Sequence, residues 1–463
     1  MIEIEPDEFT AANYQATGVS RFKGNPFIEA LPQLEDRKLD FLEALAHYPE
    51  MPTAATRKSG EMIRLMEMNQ INDIVVPFAE YEQTAVAMAN MLRDSYVARH
   101  PDSPSDRRRR HALATQGRSQ MPFPSDWRTS GSGHLLIAIS GMGKTTLAKA
   151  FLLRYQQLIV HQSYCGKALR CVQVPHLSLR VPHDGTLRGL CLQFFDVVDR
   201  LLGTEFRKEA LALRSIAPMA LQMTKVASAL SLGLLVIDEL QNLRYAMGKN
   251  AEYVLNLISD LIEHAGTSVL TIATPAVQPV IEGSIRNGRK MASAGQTVLR
   301  PMTLGDPQWK LFCETYWDYT YTKRKPRLSK EILKAWHRVS AGNSAFAATA
   351  FGLAQRHAIG TTECIDEAAF FRVAEKEMAF LQPAIEALNS GNPSKLRQFD
   401  DLVFSERFRA LRSQLGVATP PINEPVDDEF DDIPEEEAPE PAARSRQTRP
   451  SGNLKTEEPR ELN

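Results

Sequence analysis

The chain has 463 residues and a mass of 51.8 kDa, room for two or three folding units, which excludes a small disulfide-stapled scaffold. Hydrophobic residues make up 43% and charged residues 24%; that excludes wholesale disorder, and no stretch approaches the ~18 consecutive apolar residues of a spanning helix. The net charge of −2 conceals an asymmetry, since residues 417–463 hold 13 acidic and five basic side chains and leave the rest at +6, a pattern compatible with a polyanionic partner.

The opening MIEIEPDEF is acidic and leads into no apolar stretch, so no secretory signal is read. The five cysteines (Cys165, Cys171, Cys191, Cys313, Cys364) are odd in number, widely spread and without a C-x-x-C, which predicts reduced thiols in a cytoplasmic protein with no membrane segment. Residues 1–130 read as a helical N-terminal region. Periodic apolar segments start at Glu61 and at Phe78, and the second ends before Pro101. Its Met88, Met91 and Leu92 stripe predicts a packed core face. The run from Arg107 to Arg110 reads as a solvated linker, with contact to DNA phosphates as the alternative.

From Gly133 the texture changes to short apolar strands separated by helices, the alternation of an α/β fold with a parallel sheet. Strands are predicted from His134, Leu169, Leu232 and Thr267, with a fifth at Gln296. Beyond Gly305 only helical patterns continue. The predicted organisation is a helical region over 1–130, a nucleotide-binding core over 131–303, a helical lid and C-terminal helical region over 304–416, and a disordered acidic tail over 417–463.

The strand from His134 runs into A-x-x-x-x-G-K-T over residues 138–145, a phosphate-binding loop with Ala138 in place of the first glycine. Ser140, Gly141, Met142, Gly143, Lys144, Thr145 and Thr146 are the predicted nucleotide contacts. Backbone N–H groups and a helix N-terminus face the phosphates, Lys144 reaches the β- and γ-phosphates, and Thr145 helps hold Mg²⁺. Ninety-four residues after Lys144, the apolar run LLVIDE delivers Asp238 and Glu239 at a strand end. Asp238 is the second predicted Mg²⁺ group and Glu239 the base that takes the proton of the attacking water. The predicted substrate and cofactor are therefore ATP and Mg²⁺.

Thr274 ends the next strand and is the candidate polar sensor of that water. Arg286 and Arg289 follow in SIRNGRKMASAG, and one of the two is the candidate arginine finger offered to a neighbouring subunit; a solvated basic loop is the plainer reading of the same residues. His161, Cys165, Cys171 and His176 match no zinc spacing. The stretch from Ser340, where a lid arginine would complete an AAA+ site, offers Asn343 and Ser344 instead.

With these motifs in place, the sequence resembles the TnsC family, the AAA+ regulators of TnsABC-type bacterial transposons. The resemblance is carried by YQATGVSRFKGNPFIEALPQL at residues 14–34, SGMGKTT, GTLRGLCLQFFDVVDRLLGTEF, LGLLVIDELQNL, TIATPAV, SIRNGRKMASAG and EALNSGNPSKLRQFDDLVF. It is weakest over 50–130 and absent from the tail. The resemblance implies an AAA+ core with a helical lid, and a homo-oligomeric ring or helical filament on double-stranded DNA. It also implies an ATP-controlled link between a target selector, either a protein or an RNA-guided complex, and transposase subunits. Arg180, Arg188 and Lys225 are then candidate DNA-backbone contacts. A nucleotide-bound scaffold that does not hydrolyse ATP, and an AAA+ motor of secretion or DNA repair, are the rival expectations.

Overall fold

The computed structural model describes residues 10–116, 123–213, 215–392, 395 and 399. The predicted disordered tail and most of the SGNP-to-DDLV stretch lie outside them. Eight strands are described: β1 (Thr10–Ala11), β2 (Gly133–Ala138), β3 (Ile159–Tyr164), β4 (Lys167–Gln173), β5 (His176–Arg180), β6 (Leu234–Asp238), β7 (Ser268–Ala273) and β8 (Gln296–Leu299).

Five of them form one parallel sheet in the order β5-β6-β7-β2-β8. Its central strands β6 and β7 are buried throughout and mostly apolar, as expected of strands covered on both faces. Alternate residues serve opposite faces. Leu136, Leu234, Val236, Leu270 and Ile272 pack into one core with the helix Ala79–Val97, α1, and the helix Lys144–Leu152, α2. Met88, Met91 and Leu92 of α1 are buried there, so the methionine stripe is a core face. On the other side Leu235, Ile237, Val269 and Ala273 meet three further helices: α3 (Leu187–Leu202), α4 (Ile216–Ala229) and α5 (Asn250–Asp260). From Pro307 to Ser390 the described chain is helical, and none of the described helices is long and apolar enough to cross a membrane.

Two expectations are corrected. The predicted second strand at Leu169 is not part of the parallel sheet. Cys165 and Gly166, both with positive φ (48° and 75°), turn the chain so that β4 returns antiparallel on β3, the geometry of a two-residue hairpin loop. The parallel strand is the next one, β5. Likewise Arg107 to Arg110 are not a linker: they lie in the helix Pro104–Thr115, capped by Ser103 with Pro104 in its first turn. Arg109 is buried against Asp106 and donates to Ser228 Oγ at 2.8 Å and to the His264 carbonyl at 2.9 Å.

Candidate functional site

The site is built at the C-terminal ends of β2, β6 and β7, where parallel sheets place ligands. The loop leaving β2 turns at Gly141 (φ +83°) and Gly143 (φ +73°) before α2 begins at Lys144. Both glycines sit in the left-handed region that side chains disfavour. Space forbids one as well, because a Cβ on Gly141 would stand 2.6 Å from Asn343 Oδ1, and one on Gly143 would collide with the Tyr81 hydroxyl.

The loop's own carbonyls are held from two directions. The Tyr81 hydroxyl, on α1, donates to the Met142 carbonyl at 2.9 Å. From the helical region, Asn343 Nδ2 donates to the Ser140 carbonyl at 2.8 Å, and Ser344 Oγ and the Ala345 N–H donate to the Gly141 carbonyl at 2.7 and 3.0 Å. Asn343 and Ser344, noted in the sequence only as the residues standing where an arginine was sought, are thus backbone clamps. With the carbonyls engaged outward, the loop's N–H groups are left for an anion.

Lys144 Nζ lies 2.8 Å from the Ala138 carbonyl and 3.0 Å from that of Ile139. Thr145 Oγ1 donates to Asp238 Oδ2 at 2.7 Å, and the Glu239 N–H donates to Asp238 Oδ1 at 2.8 Å. The two predicted Mg²⁺ groups therefore meet, although 93 residues separate them. Glu239 itself has φ +59°, which for a non-glycine residue costs about 1–3 kcal/mol and persists only where the surroundings enforce it. Thr274, 3% exposed, donates its N–H to Gln241 Oε1 at 3.1 Å, while its buried hydroxyl has no hydrogen-bond partner among the described residues.

Beside the loop lies a cavity of about 400 Å³. Ser140, Gly141, Lys144, Thr145, Thr146 and Glu239 form its polar end; Ile74, Val76, Phe78, Phe312 and Tyr316 form an apolar wall. A triphosphate at one end and a flat heterocycle at the other match that division of chemistry. Thr145 and Asp238 form a hydroxyl–carboxylate pair of oxygen donors, the set that suits Mg²⁺ at a phosphate. Gln241, Tyr81 and the apolar wall were not found in the sequence. Only Gln241, two residues beyond the paired carboxylates, had a local signal.

The remaining predicted residues lie elsewhere. Arg286 and Arg289 are exposed on the helix Ile285–Met291, whereas Lys290 pairs with Glu263. That helix is fixed to α5 through Asn287, which accepts from Ser259 Oγ at 2.9 Å and donates to Asn256 at 3.1 Å. Arg180 ends β5 in register with Asp238, which takes it to the nucleotide end of the sheet. Arg188 lies in the first turn of α3, and Lys225 donates from α4 to the carbonyls of Ala114 and Gln116 at 3.3 and 2.7 Å.

Sheet order, glycine loop and paired carboxylates together define an α/β P-loop nucleotide-binding fold. Within it, residues 128–281 match the model of a family described as AAA domain, so the chain carries an AAA-type P-loop ATPase domain. Among solved structures, it is similar to the Walker-type ATPase PABY2304 of Pyrococcus abyssi: 13% identity, 61% of this chain and 83% of that one covered, TM-score 0.36. It is also similar to the RuvB Holliday junction branch migration motor of Thermotoga maritima: 16% identity, coverage 62% and 75%, TM-score 0.32. No curated protein matches the sequence.

Proposed function

We propose that this chain hydrolyses ATP with Mg²⁺ and acts as a DNA-bound, oligomeric regulator of DNA transposition, linking a target-site selector to transposase subunits. The observation that carries the enzymatic half is the meeting of Thr145 with Asp238, where Thr145 and Glu239 line a cavity with one polar and one apolar end. The regulatory half is supported by the TnsC-like stretches of the sequence, above all residues 14–34.

In this reading the loop N–H groups and Lys144 neutralise the phosphates, and Glu239 accepts the proton of a water attacking the γ-phosphorus. Mg²⁺ held by Thr145 and Asp238 supplies charge neutralisation on the phosphate oxygens. Arg286 or Arg289 of a neighbouring copy completes the site, so that turnover depends on assembly and hydrolysis loosens it. Intact base and phosphate-binding groups favour this over a scaffold that does not hydrolyse ATP.

The test is electron microscopy and light scattering of the purified protein with duplex DNA and a slowly hydrolysed ATP analogue. Large regular assemblies that need both additions are expected, and capture of transposase subunits by those assemblies separates this reading from another AAA+ motor. A protein that stays small, or assembles without regard to DNA, removes DNA as its platform. Glu239→Gln is expected to bind ATP and to trap the assembly, and unchanged turnover in that variant would refute the assigned base.

A further inference from the structure

We propose that Gln241 is a positioning residue for hydrolysis: its side-chain amide spans from the Glu239 carboxylate to the backbone of Thr274 and fixes the base against the strand that carries the sensor hydroxyl. The inference rests on the reading of the site as an ATPase centre.

The chemistry of the two partners fixes which way the amide points. Gln241 Nε2 donates to Glu239 Oε2, and Gln241 Oε1 accepts from the Thr274 N–H at 3.1 Å. A carboxylate can only accept and a backbone N–H can only donate, so the amide has one orientation that satisfies both. An ionised carboxylate or an apolar side chain at position 241 has no donor to offer, a hydroxyl has its donor and acceptor on a single atom that cannot span the two partners, and asparagine is one methylene short of the span. Gln241 is 8% exposed, so water does not substitute freely for either partner.

The backbone explains why this residue is in reach. The left-handed turn at Glu239 ends β6 and starts the short helix Leu240–Tyr245, which folds residue 241 back over the strand end. The adjacent Asn242 donates from Nδ2 to the Val181 carbonyl at 2.9 Å, and the Val181 N–H donates to the Asp238 carbonyl at 2.9 Å. Consecutive amides thus bracket three strand ends: Asn242 ties down the end of β5, and Gln241 joins the ends of β6 and β7. One Glu239 oxygen is taken by Gln241, and the side chain lines the nucleotide cavity. Its orientation, and its separation from the Thr274 hydroxyl, are then set before any substrate enters, the condition under which a positioned base is effective.

The experiment compares steady-state ATP hydrolysis by the full-length wild type, Gln241→Glu and Gln241→Asn, with Mg²⁺ and duplex DNA, over a range of ATP concentrations. Gln241→Glu keeps the acceptor for Thr274 and sets a carboxylate against Glu239. We expect kcat to fall about 10- to 100-fold with KM for ATP within about twofold, because the Glu239 carboxylate, repelled instead of held, leaves its set position. Gln241→Asn, too short to reach both partners, should lose kcat to a similar degree, again with KM for ATP little changed. Wild-type rates in both variants, or a loss of kcat matched by an equal loss of ATP affinity and of melting temperature, would overturn the positioning role. A wild type that binds ATP but never hydrolyses it would instead remove the ATPase reading, and this inference with it.

Discussion

The hydroxyl of Tyr81 donates a 2.9 Å hydrogen bond to the carbonyl of Met142, so that a helix ahead of the AAA-type domain holds the backbone of the phosphate loop. Burial pushes the Tyr81 phenol well above its ordinary range, which keeps it a neutral donor wherever the protein is folded. In Tyr81→Phe the Met142 carbonyl loses its donor inside a packed core, a loss worth about 1–3 kcal/mol. The melting temperature should fall by several degrees and nucleotide affinity should weaken several-fold. Thermal unfolding and titration with a fluorescent ATP analogue check this, and an unchanged affinity would mean that the loop is held without Tyr81.

Thr274 presents the opposite balance. Its hydroxyl is buried without a partner among the described residues, and a buried unpaired hydroxyl costs about 1–3 kcal/mol. Thr274→Val keeps the shape and removes that cost, so the variant should melt at the same temperature or higher. If the hydroxyl holds the attacking water, kcat should nevertheless fall about 100-fold. A variant that is both more stable and fully active would show that Thr274 takes no part in turnover.

What was legible in the sequence was what the chemistry confines to a few adjacent residues. A phosphate loop needs glycines, lysine and threonine in consecutive positions, and LLVIDE carries both its buried strand and its carboxylates. The apolar run at Leu169 misled because a strand in a small hairpin and a strand in a buried sheet have the same local composition. What told them apart was the turn at Cys165 and Gly166. Tyr81, Asn343 and Ser344 were out of reach for another reason: their partners lie 61 and 203 residues away, and nothing in a tyrosine on a helix or an asparagine before one says which carbonyl it will meet.

The helical region is tied to the N-terminal region by Arg64, which is fully buried and grips Glu363 with both terminal nitrogens at 2.6 and 2.7 Å. The guanidinium beside it, with help from the N–H groups of Gly360 and Lys323, holds the Glu363 carboxyl down at about 2, from an ordinary 4.5. A depressed carboxyl stabilises the fold fully above its unfolded value and loses that contribution as pH falls through its folded one. The contribution of this pair should thus be intact above pH 4.5 and vanish toward pH 2. Glu363→Gln should melt lower than wild type at pH 7, with the gap closing over that window. A gap that stayed constant down to pH 2 would mean that the charge of Glu363 is not what joins the two regions.

Gly143 joins the backbone and side-chain arguments in one position. Alanine there must adopt a left-handed conformation, at about 1–2 kcal/mol, and its methyl group must also displace the Tyr81 hydroxyl. The two costs are separable because only the second depends on Tyr81. Gly143→Ala alone should abolish measurable ATP binding by pushing the loop off Met142's anchor. In the double variant with Tyr81→Phe, the obstructing oxygen is gone while the backbone cost remains. Stability should then recover part of what Gly143→Ala lost, giving a non-additive cycle, as expected for residues in contact. Thermal melts of the four proteins measure the coupling. Strict additivity would show that the backbone conformation alone selects glycine, and that the tyrosine clamp places no demand on the loop beyond its hydrogen bond.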